Sequence, residues 1–84
     1  MPNKEEYCER FLYAFTQVPY RVALFEQALQ EYDAGHPQSF QRRCDMSKIT
    51  SNHDSLYLTD SQTYWNNLVD SVRKAIEIYT QNAG

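Results

Sequence analysis

The reactive side chains of this sequence gather around one cysteine. Cys44 follows Arg42 and Arg43 directly, with His36 eight residues before it and His53 nine residues after. A thiol beside cations and within reach of an imidazole base has the makings of a nucleophile. The competing reading is a small apolar residue on the inner face of a short helix. In a chain of 84 residues there is little room for an enzyme pocket, so the expectation is a protein without enzymatic activity. The candidate metal ligands are His36, Cys44, His53 and Asp54. Their spacing matches no zinc pattern, and no two stand at the helical i, i+4 offset, so no metal or other cofactor is expected. With Gly35 and Gly84 as the chain's glycines, a glycine-rich phosphate loop is excluded.

The segment Gln41–Lys48 holds three of the eight basic residues: Arg42, Arg43 and Lys48. Guanidinium forks match phosphate and carboxylate oxygens, and Ser47, Thr50, Ser51 and His53 add donors nearby. This segment is a candidate surface for an acidic partner or for a small anionic ligand such as a nucleotide, on whose base a tyrosine could stack. The net charge of −3 argues against general binding to nucleic acid, and no glycine turn leads into a basic helix as a helix-turn-helix requires. The acidic clusters Glu5, Glu6, Glu9 and Glu26, Glu31, Asp33 read as solvated helix surface.

These residues need elements to hold them. Tyr7, Phe11, Phe15, Val18, Val22, Phe25, Leu29 and Tyr32 recur at steps of three and four, which keeps one helix face apolar. Pro19 interrupts this stripe. Either one helix ends at Thr16 or Gln17 and Pro19 opens the next, or one helix runs through with a kink. The stripe keeps its phase across residue 19, which favours a long kinked helix from Asn3, its cap, to Tyr32. Asp33-Ala34-Gly35-His36-Pro37 ends it. Ser39 could cap a short helix through Phe40, Cys44 and Ile49. Thr50–Ser55 reads as a loop, which Leu56, Tyr57 and Leu58 tack onto the helices. Thr59 and Gln62 fit a capping box for the last helix. There Trp65, Val69, Val72, Ile76 and Tyr79 form one stripe, and Tyr64, Leu68, Ala75 and Ile78 a second beside it.

The expected fold is all-α, one domain over residues 1–84. A Pro-kinked N-terminal helix and a C-terminal helix form an antiparallel hairpin with a short helix and loop crossing between them. The apolar face of the last helix, with Trp65, Leu68, Val72, Ile76 and Tyr79, is wider than one neighbour needs. A chain this small has a thin core, so self-association into a helical bundle is expected to complete it. Tyr13, Tyr20 and Leu24 lie opposite the main stripe and form a candidate partner strip, since tyrosines are enriched at binding surfaces.

The charged start MPNKEEYCER is no signal peptide, and no run approaches the length needed to span a bilayer. Two widely separated cysteines read as free thiols of a reducing compartment. The expectation is a complete cytoplasmic protein, a small adaptor or inhibitor that self-associates and binds another protein. The alternative is an oligomeric binder of a small anionic ligand.

Overall fold

The computed structural model describes residues 4–50 and 61–83. It is all-α: α1 (Lys4–Gln17), α2 (Arg21–Asp33), α3 (Pro37–Met46) and α4 (Ser61–Ala83), with no strand among the described residues. Asn3, Thr59, the loop from Ser51 to Ser55 and Leu56, Tyr57 and Leu58 lie outside them.

The long kinked helix is not observed, because Pro19 breaks the chain into two helices. Its ring nitrogen carries no hydrogen to continue the ladder. Val18 still donates to the Ala14 carbonyl at 3.0 Å, but Arg21 donates to Val18 at 2.9 Å and Val22 to Pro19 at 3.2 Å, a tightened turn. In a continuous helix, Phe11 and Phe25 would stand about 21 Å apart. Their ring centroids are 5.3 Å apart, and those of Phe15 and Phe25 5.7 Å. The chain therefore turns back at residues 18–20. The stripe stays in phase because each half faces the same core after the turn.

This turn also changes how the first and last helices meet. Lys4 pairs with Asp70 at 3.5 Å and its carbonyl accepts from the Ser71 hydroxyl at 3.2 Å, while Phe15 meets Tyr79 at 5.8 Å between centroids. Residue numbers rise together, so α1 and α4 run in the same direction and not as the expected antiparallel hairpin. α2 runs against both: Phe25 lies at the Phe15 level, while the Tyr32 hydroxyl donates to Asn66 Oδ1 at 3.1 Å. The Arg73 guanidinium grips both oxygens of Asp33 at 2.9 and 3.0 Å, tying the end of α2 to α4.

α3 starts at Pro37, whose fixed φ suits the first helical position; Ser39 lies inside the helix and caps nothing. Phe40 joins the core by meeting Phe25, Tyr32 and Trp65 edge-on. Offset and edge-to-face ring pairs such as these are the favoured aromatic arrangements.

The wide face of α4 is used inside the chain. Leu68 and Val72 are fully buried, and Trp65, Ile76 and Tyr79 pack partly buried against the same core. Tyr64 and Tyr79 meet rings of α1, and Trp65 meets Phe40 of α3. No helix among the described residues is long and apolar enough to cross a membrane.

Candidate functional site

α2 and α3 end in the same way. After α2, Gly35 donates to Tyr32 and His36 to Glu31; after α3, Lys48 donates to Asp45 and Ile49 to Cys44. This is the Schellman pattern, which needs a residue of positive φ just past the helix. Gly35 supplies it at φ 96°, but Lys48 supplies it at φ 59°. A side chain in the left-handed region costs about 1–2 kcal/mol, which glycine avoids. The turn buries Ile49 next to Cys44, and Thr50 Oγ1 donates to Asp45 Oδ1 at 2.6 Å.

The end of α3 is thereby laid against α1. Arg10 Nη1 donates to the Ile49 carbonyl at 2.8 Å, and the Arg10 guanidinium carbon sits 5.1 Å from the centre of the Tyr7 ring. Between α1 and residues 46–49 an open groove of about 660 Å³ remains. Tyr13 and Met46 line it, exposed by 68% and 63%. Glu6, Glu9, Arg10, Gln17, Arg21 and Lys48 add polar and charged groups of both signs to its walls. Tyr20, 70% exposed, lies in the turn just before Arg21.

The expected site residues divide between two places. Tyr13 and Lys48 share this groove. Leu24, Arg42 and Arg43 line a smaller hollow between α2 and α3, with Gln27, Glu31 and Ser39. The Tyr13–Tyr20–Leu24 strip requires one continuous helix; with the turn at Pro19, its ends face different grooves. Arg42 and Arg43 likewise stand apart from Lys48. Met46 and Arg21 escape sequence reasoning. Met46 has one legible signal: it falls two residues past the inward-facing Cys44, and so on the outer side of α3.

The cysteines are placed for packing. Cys44 is fully buried, and burial foremost, with the Asp45 charge second, pushes its thiol far above the ordinary range. The adjacent arginines do not activate it. Burial also raises Cys8, against the opposing pull of Lys74. Both are free thiols. His36 is exposed at the start of α3, while His53 and Asp54 lie outside the described residues, among which no three potential ligands cluster for a metal.

Comparison with known proteins finds no matching family model, no similar curated protein and no similar solved structure.

Proposed function

We propose that this chain is a small non-enzymatic adaptor or inhibitor that works by protein–protein contact at the Tyr13 groove. One observation carries this reading. The exposed large apolar side chains among the described residues are Tyr13, Tyr20 and Met46; two of them line one groove, and the third directly precedes Arg21, which also lines it. Elsewhere among the described residues the aromatic rings are buried or pack partly buried against the core. Tyrosine and methionine are favoured where a surface must be apolar, adaptable and still wettable. Charged residues of both signs ring the pair, as in the polar rim of an interface. Two free thiols, one of them deeply buried, suit work in the reducing cytoplasm.

The test is capture of partner from an extract of the native host by the immobilised full-length chain. The double substitution Tyr13→Ala, Tyr20→Ala should abolish capture while the helical circular dichroism signal stays unchanged. Equal capture by the double variant would refute docking at this face.

A further inference from the structure

The hollow between α2 and α3 holds charges that the fold does not use. One face of each helix lines it: Gln27, Ala28 and Glu31 from α2, and Ser39, Arg42 and Arg43, at i, i+3 and i+4, from α3. Arg10 and Arg73 are each committed, to the Ile49 carbonyl and to Asp33. Among the described residues, the Arg42 and Arg43 guanidiniums and the Glu31 carboxylate have no ion pair or hydrogen bond. Arg42 is exposed, while Arg43, Ser39 and Glu31 are half-buried. The hollow measures about 160 Å³, below the roughly 300–1,000 Å³ of sites that enclose drug-sized ligands. It has room for a small polyatomic ion and none for a nucleoside.

We propose that this hollow binds inorganic phosphate in a form that still carries a proton. Guanidinium forks match phosphate oxygens, and the Ser39 hydroxyl and the Gln27 amide are further donors on the walls. Two cations against one carboxylate leave the hollow positive, which favours an anion. Glu31 then decides which anion. A carboxylate only accepts hydrogen bonds, so it repels an oxyanion that has nothing but acceptors and pairs with one that brings its own hydrogen. Near neutral pH inorganic phosphate keeps at least one P–O–H group, which donates to Glu31, while its other oxygens accept from Arg42 and Arg43. Sulfate has the same shape and no proton. A phosphate monoester loses its last proton above about pH 6 and stands with sulfate. The site is separate from the Tyr13 groove, and neither reading depends on the other.

The test is thermal melting of the full chain at slightly alkaline pH with sodium phosphate, sodium sulfate or glycerol phosphate. Ionic strength is held equal, because salt screens exposed charges. A ligand that binds only the folded chain raises the melting temperature by mass action, and the concentration dependence gives its dissociation constant. Millimolar phosphate should raise it saturably, with sulfate and glycerol phosphate at least about tenfold weaker. Arg42→Gln and Arg43→Gln should each weaken phosphate binding about tenfold or more. Glu31→Gln should bring sulfate to the level of phosphate, since an amide donates as well as accepts; a role in folding alone would leave their ratio unchanged. No rise with phosphate, or a rise matched by sulfate or glycerol phosphate in the unaltered chain, would overturn the assignment whether or not the variants fold. So would arginine variants that keep full affinity, or a Glu31→Gln chain that still prefers phosphate.

Discussion

The two sides of α1 put aromatic rings to opposite uses. On the inner side, Phe11 and Phe15 are wholly buried and meet Phe25 and Tyr79 at ring-centroid distances of 5.3 to 5.8 Å. On the outer side, Tyr13 is 68% exposed over the groove. Tyr13 is two residues from each of the phenylalanines, about 200° around the helix. Helical phase, not aromatic character, decides which ring stabilises the fold and which is left for a partner.

Truncation on the inner side should have the largest effect. Phe25 touches rings of α1 and α3 at once, and Phe25→Ala should cost about 3–5 kcal/mol in urea unfolding, enough to unfold much of the population. A loss under 1.5 kcal/mol, on the scale of a conservative core swap, would contradict the inner side's role.

Cys44 adds a pH dependence to the interior. Its folded pKa is raised from 9.0, chiefly by burial. The thiol therefore stays protonated in the folded chain while the unfolded chain loses its proton above that value. Stability attributable to this group is intact below pH 9.0 and falls as pH rises beyond it, by about 1.4 kcal/mol per unit. The stability difference between the unaltered chain and Cys44→Ala should stay constant up to pH 9.0 and shrink by that slope above it. A difference independent of pH would show that the thiol is not buried.

The two helix ends sharpen the comparison further. Gly35, between α2 and α3, has a φ of 96° with open space where a Cβ would go. Gly35→Ala should therefore cost about 1–2 kcal/mol through backbone strain alone. At Lys48, on the groove, glycine relieves that strain at some cost in unfolded-chain entropy, so Lys48→Gly should stabilise by about 0.5–1 kcal/mol. Thermal melts of both variants should move in opposite directions; movement in the same direction would mean that the lysine side chain makes up for its strained backbone.

The outer ring should matter least to folding. Tyr13→Ser should change stability by no more than about 0.5 kcal/mol, in contrast to Phe25→Ala. A larger loss in the isolated chain at low concentration would place Tyr13 in the core and remove the distinction between the two sides.

Most of the helical content is legible in the residues, and part of the arrangement is not. The stripes identify Phe11, Phe15, Phe25, Leu68 and Val72 as core, and Gly35 with Pro37 marks the boundary between α2 and α3. Pro19 is ambiguous because a short turn and a kink can both preserve an inward-facing stripe. The contacts of Phe25 with Phe11 and Phe15, fourteen and ten residues before it, separate the two. The extra width of the α4 face suggests an external partner until two internal ones are seen beside it. For the candidate site, the outward phase of Tyr13 is readable from spacing. Its pairing with Met46, and the separation of Lys48 from Arg42 and Arg43, depend on how the end of α3 lies against α1. That placement comes from the Lys48 turn and the Arg10 bond to Ile49, which local patterning does not contain.

The shared direction of α1 and α4 limits how the chain could be rewired. Lys4 lies beside Asp70 and Ser71, so Ala83 ends α4 about 18 Å farther along the bundle. Any segment leading from Ala83 back to Lys4 has to span that length, about six extended residues, and a tight turn could not close it.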